Sequence, residues 1–85
     1  YALSQNYPNP FNPATTIDYT LAKEGNVQLA VYDVLGRLVT TLVSGVEAAG
    51  PHTVRFDGSR LSSGVYYYTL RAGEFTATRS LILMK

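Results

Sequence analysis

The chain has 85 residues, of which 46% are hydrophobic and 15% are charged, and its formal net charge is +1. This hydrophobicity with so little net charge excludes a disordered tail, and the lack of a basic surplus argues against nucleic acid as the main partner. No cysteine is present, which excludes a disulfide framework, a thiolate metal site and a cysteine nucleophile.

A chain of this length forms one small domain at most. No apolar run reaches the roughly 18 residues that a membrane-spanning helix needs, so we expect no transmembrane segment. The chain opens with Tyr1 rather than Met, and we therefore expect a soluble module cut from a larger protein.

Residues 1–13 are predicted to form a stiff, extended lead-in. Three of the four prolines fall here, and each fixes φ and favours an extended predecessor, while the interleaved asparagines favour turns. A plain linker would lack apolar anchors such as Tyr1 and Leu3, so we expect this N-terminal arm to pack on a domain formed by residues 14–85. The packing residues of the arm are Tyr7, Pro8, Pro10, Phe11 and Pro13.

Alternation of apolar and polar residues predicts strands over 17–21 and 27–31, since period-two alternation is typical of a half-buried strand. Asp33 to Gly36 is predicted to form a tight turn. Residues 38–43 carry aliphatic side chains on both faces, so this strand is either buried on both sides or interrupted by a bulge. Residues 44–50 are predicted to be a loop with room for one helical turn but not for a helix.

The second half of the chain continues the same pattern. His52 to Phe56 alternates and predicts a fourth strand, and Val65 to Ala72 gives the strongest strand signal of all. The opposite register of that strand would bury Arg71. We therefore place these side chains on the core face: Tyr66, Tyr68 and Leu70.

Phe75 to Met84 is predicted to be the last strand, after a short hairpin turn. Its phase is ambiguous because Leu81 and Leu83 share parity with Arg79. A bulge near Ser80 would resolve the conflict.

These patterned segments, joined by short turns and without any helical periodicity, predict an all-β fold. The spacing is typical of an immunoglobulin- or fibronectin III-like antiparallel β-sandwich of about seven strands. The extended Pro-rich lead-in would precede this sandwich.

Few side chains could carry out chemistry. His52 could be a general base or a metal ligand, but zinc needs about four ligands, and we interpret this histidine as a partly buried strand residue. The glutamates Glu24, Glu47 and Glu74 lie in predicted turns, where carboxylates are usually solvated. No nucleophile elbow, phosphate loop or calcium loop is present. We therefore expect no enzyme, no catalytic residue, no cofactor and no metal.

Tyr67 has two interpretations. Because Tyr66 and Tyr68 face the core, Tyr67 faces outward beside Thr69 and Arg71. It could be a stacking platform for a sugar or a partner protein. It could equally reflect the ordinary preference of tyrosine for strands.

Five blocks of residues stand out in order along the chain. They are Asn6 to Pro13 followed by Thr15, Thr16, Ile17, Tyr19 and Leu21; Val31 to Asp33 with Gly36 and Arg37; Ala49 and Gly50, then His52 and Val54 leading into Phe56 and Asp57; Leu61, Ser63 to Tyr66 and Leu70 to Gly73; and Thr78 and Arg79 with Leu81 to Lys85. In this order and spacing the chain resembles the C-terminal sorting domain, type A, of type IX secretion cargo. The resemblance begins at Asn6 and extends to Lys85, and its most specific parts are the opening Asn-Tyr-Pro-Asn-Pro-Phe-Asn-Pro block and the ending. A weaker resemblance links the chain to the immunoglobulin-like domain of the flagellar hook-capping protein.

The resemblance implies an address rather than an enzyme. Such domains sit at the C-terminus of secreted enzymes and adhesins and direct them across the periplasm and through the outer-membrane translocon. A sortase then commonly removes the domain and attaches the cargo to surface lipopolysaccharide. The implied partners are the translocon, the sortase and an upstream cargo domain in the same chain, and the implied destination is the cell surface or the exterior.

Within such a domain we predict that the partner reads the last strand, which a receptor can recognise by edge pairing. The candidate recognition residues are Arg79, Leu81, Leu83, Lys85 and Tyr67. Two alternatives remain open. The module could assemble into extracellular filaments by docking its N-terminal arm on a neighbouring copy, or it could be a carbohydrate-binding module that uses exposed tyrosines.

Overall fold

The computed structural model describes all 85 residues and contains seven strands and no helix. Three of the strands form one sheet and four form the other. The strands are β1 (Ala2–Leu3), β2 (Ala14–Leu21), β3 (Gly25–Tyr32), β4 (Leu38–Glu47), β5 (Gly50–Asp57), β6 (Gly64–Ala72) and β7 (Phe75–Leu83).

The two sheets pair in the orders β1-β2-β5 and β4-β3-β6-β7, and every pair of neighbouring strands is antiparallel. Alternate side chains of each sheet meet in one apolar cluster of 15 buried residues, because period-two strands place every second side chain on the same face. The all-β sandwich predicted from the sequence is confirmed.

The register of β6 agrees with the prediction. Tyr66, Tyr68 and Leu70 are buried, whereas Tyr67 between them is 40% exposed. The predicted turn after β3 is also present, since the amide of Gly36 donates to the carbonyl of Asp33 at 3.0 Å. The Asp33 carboxylate also accepts hydrogen bonds from the backbone amides of Leu35 and Arg37. The bond from the Arg37 amide is the main reason that the pKa of Asp33 is lowered.

β4 shows both agreement and correction. Its register against β3 shifts twice, so that Val39 and Leu42 have no partner residue, and the bulge alternative is the one that occurs. The loop predicted over 44–50 is wrong, because β4 continues to Glu47 and only Ala48 and Ala49 separate it from β5.

β7 also corrects the prediction. It pairs with β6 without any register shift, so the bulge expected near Ser80 is absent. Leu81 and Leu83 are buried in the core. Arg79 has the same parity along the strand, but its side chain is exposed. Its guanidinium reaches the side of the sandwich, where Nε donates to the Leu3 carbonyl at 2.6 Å.

Residues 1–13 do not form one extended arm. The segment contains β1, which pairs with the end of β2, and bends follow at 8–10 and 12–13. The chain also makes two isolated bridges, Tyr7 to Thr16 before the first bend and Phe11 to Leu83 between the two bends. The segment therefore leaves the three-stranded sheet and crosses to the edge of the four-stranded sheet.

Candidate recognition surface

The five predicted recognition residues differ in how far their side chains are exposed. Leu81 and Leu83 are buried in the core, so neither side chain lies on the surface of the folded domain. Tyr67, Arg79 and Lys85 are exposed. Only these three of the five predicted residues can therefore contact a partner while the domain stays folded.

The free edge of β7 is covered from Ser80 to its C-terminal end by the strap, the name used here for residues 5–11. The amide of Phe11 donates to the Ile82 carbonyl at 2.9 Å, and the amide of Met84 donates to the Phe11 carbonyl at 3.0 Å. The side chains of Gln5 and Asn9 bond the Ser80 carbonyl and the Ile82 amide. The outward backbone groups near the C-terminus are thus already paired, so a receptor can pair with this edge only by displacing the strap.

Phe11 anchors the strap. It is 2% exposed, and its ring lies 5.9 Å from that of Phe56 between centroids. A Cβ built on Gly58 would lie 3.4 Å from the Phe11 ring and 3.1 Å from the Leu83 side chain, so glycine leaves room for this packing. Gly58, in the loop between β5 and β6, therefore helps to form the socket that holds the Phe11 ring.

The other predicted packing residues of the N-terminal arm do not bury their side chains. Tyr7 is 80% exposed, and the three prolines are exposed too. Of the five residues predicted to pack on the domain, only Phe11 buries its side chain. Leu3 is the second apolar anchor of the segment, since it is buried in the main core.

A buried polar cluster beneath the strap was not predicted. The Tyr68 hydroxyl donates to the Ser4 carbonyl at 2.7 Å and accepts from the Asn6 amide at 2.8 Å. The Asn6 side-chain amide donates to the Thr15 hydroxyl and to the Pro8 carbonyl. Burial raises the pKa of Tyr68, with opposing contributions from the Asn6 amide and from Arg79. The only sequence signal was a core tyrosine, whose hydroxyl needs a partner when buried.

The two cations near the C-terminus, Arg79 on β7 and Lys85 beyond it, are both hydrogen-bonded to other parts of the fold. Arg79 is held by the Leu3 carbonyl, as described above, which links β7 to β1. Lys85 donates from Nζ to the Ser59 carbonyl at 2.6 Å, and its backbone amide donates to the Ser63 hydroxyl. Both residues therefore contribute to closing the fold as well as to the charge of its surface.

Tyr67 lies on the outer face of the four-stranded sheet. Its partners in the neighbouring strands are Tyr32 on β3 and Ser80 on β7, and Leu38 follows beyond Tyr32. The next position on the same face pairs Val65 with Ile82. This end of the face is uncharged and partly apolar.

His52 lies in a small aromatic and acidic group at the other end of the sandwich. Its ring stacks on Tyr19 with centroids 5.1 Å apart, Nε2 lies 2.7 Å from the Ala48 carbonyl, and Nδ1 lies 3.7 Å from Glu47. Desolvation, followed by the charge of Glu47, raises the pKa of Tyr19. The histidine is half-buried in β5, as interpreted from the sequence. Glu47 closes β4 rather than lying in a turn, which corrects its predicted place.

No group of three or more histidine, aspartate or glutamate side chains is placed to hold a metal ion. The structure also has no helix long and apolar enough to cross a membrane. Every buried polar side-chain atom has a hydrogen-bond partner.

The family described as the secretion system C-terminal sorting domain matches residues 5–84. The chain belongs to this family. No curated protein matches the sorting domain by sequence. The resemblance drawn from the sequence is confirmed, and the match includes both the strap and all but the last residue of the C-terminal segment.

A solved structure shares the fold. It is that of PorZ from Porphyromonas gingivalis, described as an essential bacterial surface component of the type IX secretion system. The two are 21% identical with a TM-score of 0.66, and the alignment covers 95% of this chain but only 11% of PorZ. The sorting domain therefore corresponds in fold to a small part of that protein.

Proposed function

We propose that the type IX translocon recognises this sorting domain as a folded module at the outer membrane, and that a sortase then removes the domain. The sorting role itself follows from membership of the family. The upstream cargo would be carried across the periplasm and released or attached at the cell surface. The domain would act as an address and carry out no reaction of its own.

The observation that carries this proposal is the joining of the two ends of the matched region. The strap at the start of the domain bonds the edge of the strand at its end. A partner that contacts the surface of β7 therefore meets a shape that exists only in the folded chain. Burial of Leu81 and Leu83 supports recognition through neighbouring exposed side chains rather than through these leucines.

The test is export of a fusion between a secreted reporter and the sorting domain in a bacterium with a type IX system. The wild-type fusion should reach the surface or the medium, and the reporter alone should stay in the periplasm. A folded, wild-type fusion that remains periplasmic would contradict the proposed function.

Two exposed side chains can then be tested separately. Tyr67→Ala and Lys85→Ala should each reduce export, because both change the surface beside β7. The matched controls are Tyr1→Ala, which removes a tyrosine of nearly the same exposure as Tyr67, and Lys23→Ala, which removes an exposed lysine; both lie at the opposite end of the sandwich. Circular dichroism of each purified domain establishes folding, and equal export of a variant and its control would show that the residue is not read.

A further inference from the structure

The sandwich has two sides at which edge strands of the two sheets face each other. On one side the edge strand β1 pairs only with the end of β2, and beyond it the strap pairs with β2 at Thr16 and with β7 and inserts Phe11 between the sheets. The chain itself thus demonstrates how an extended segment with an aromatic anchor seals a side of this fold.

The opposite side, between β4 and β5, is open. A groove of about 390 Å³ lies there. Its apolar wall consists of Val39, Leu42, Phe56 and Leu61, and all but Phe56 are only partly buried. Asp57 and Arg60 add charge to the same groove.

The bulges of β4 contribute directly to this groove. Val39 and Leu42 are the two residues that the register shifts leave without partners on β3, and both line the groove. A bulge redirects side chains and is common beside functional sites. Both bulges of β4 therefore lie at the apolar wall of the groove.

The strand edge beside the groove is also unpaired. β4 pairs only with β3, so its outer backbone groups have no strand partner. The other edges are protected in part: the strap covers β7 from Ser80 onward, β1 has two residues, and β5 contains Pro51. No proline or charged residue lies in β4 before Glu47. Unpaired donors and acceptors next to an apolar groove fit another extended chain better than a small molecule.

The charges of the groove define the partner further. The Asp57 side chain accepts the Ser59 amide at 2.9 Å, and this bond is the largest reason that its pKa is lowered. Arg60 is exposed and takes part in neither of the two ion pairs of the domain, Arg37 with Asp33 and His52 with Glu47. Its charge contributes to the lowered pKa of Asp57, but its guanidinium donors make no hydrogen bond in the domain, so they favour a carboxylate on the incoming segment.

We infer that this groove binds an extended segment of a partner protein. The segment adds a strand to the free edge of β4, inserts one aromatic or branched aliphatic side chain between Leu42, Phe56 and Leu61, and places a carboxylate near Arg60. The inference is independent of the sorting role, because it depends only on the open side of the sandwich.

The test uses the whole domain as bait for a phage-displayed library of random nine-residue peptides. Two variants alter the groove: Arg60→Glu reverses its charge, and Ser59→Trp fills its mouth. Their matched controls, Arg71→Glu and Thr76→Trp, make the same changes at exposed positions on the four-stranded sheet, remote from the groove. Arg60→Glu keeps the test decisive if Ser59→Trp does not fold, since residue 60 is exposed and its side chain has no hydrogen-bond partner in the fold.

We expect the enriched peptides to combine an apolar anchor with Asp or Glu and to bind at least tenfold more weakly to the groove variants than to the controls. N-methylation of alternate amides in the best peptide should abolish binding, because strand addition needs those donors. Amide chemical-shift changes should centre on 39–42 and 56–61.

Three results would overturn the inference. The first is no enrichment on the wild-type domain. The second is enriched peptides that bind the groove variants and the controls equally. The third is a dimer of twice the 9.3 kDa mass that Ser59→Trp or Arg60→Glu abolishes, because a second copy would then be the occupant.

Discussion

Removing the Phe11 side chain should destabilise the whole domain. The ring is 2% exposed and packs against Phe56 and beside Leu83, so Phe11→Ala opens a cavity where β5, β7 and the strap meet. Buried Phe→Ala substitutions cost about 3 to 5 kcal/mol. A domain of this length has a total free energy of unfolding of about 4 to 13 kcal/mol, so the loss is a large share of it.

Urea unfolding followed by circular dichroism gives the free energy directly, with Tyr7→Ala as the matched control. Tyr7 belongs to the same strap but is 80% exposed, so its loss should cost less than about 0.5 kcal/mol. The midpoint temperature of Phe11→Ala should fall by at least about 12 °C, given about 4 °C or more per kcal/mol for a domain of this size. Equal stability of the two variants would refute the assignment of Phe11 as the anchor.

Three further results are expected. Tyr68→Phe removes a buried hydroxyl that satisfies two backbone groups of the N-terminal segment, and chemical unfolding should show a loss of about 1 to 3 kcal/mol. Burial raises the pKa values of Tyr19 and Tyr68 in the folded state. Their contribution to stability is therefore complete below the unfolded pKa of about 10 and is lost as pH rises through the folded pKa values. The free energy of unfolding measured in alkaline buffers should show this decline, and the decline should be less steep in Tyr68→Phe. Gly36 has a φ of +81°, which alanine adopts only with strain, so Gly36→Ala should destabilise the domain by about 1 kcal/mol and lower its thermal midpoint. Gly25→Ala places its Cβ in open space and should leave the midpoint unchanged.

The strands were predictable because their periodicity is local. In β2, Ile17, Tyr19 and Leu21 alternate with polar residues, and each is buried as the alternation requires. In β7 the same reasoning failed at Arg79. Parity placed a cation among core leucines, and a bulge was the only local solution. The actual solution is a bond to the Leu3 carbonyl, 76 residues away in sequence.

The strap was less predictable for the same reason. Its prolines indicated a stiff segment, but stiffness does not determine which edge the segment covers. Phe11 is buried and Tyr7 is exposed, although both are aromatic residues beside prolines. The difference arises from the socket, which requires Phe56, Gly58 and Leu83 from distant parts of the chain. No local pattern distinguishes the two side chains.

The contacts between the strap and β7 bear on what kind of signal the domain carries. Leu81 and Leu83 fill the core, and the backbone between Ser80 and Met84 is bonded to the strap. A peptide copied from the last strand alone would expose these leucines and lack the strap, so its surface would differ from that of the folded domain. Conversely, a change at Phe11 alters the edge of β7 without altering its sequence. Under the proposed function the signal is a property of the joined ends, and substitutions that release Phe11 from its socket should reduce export through the fold.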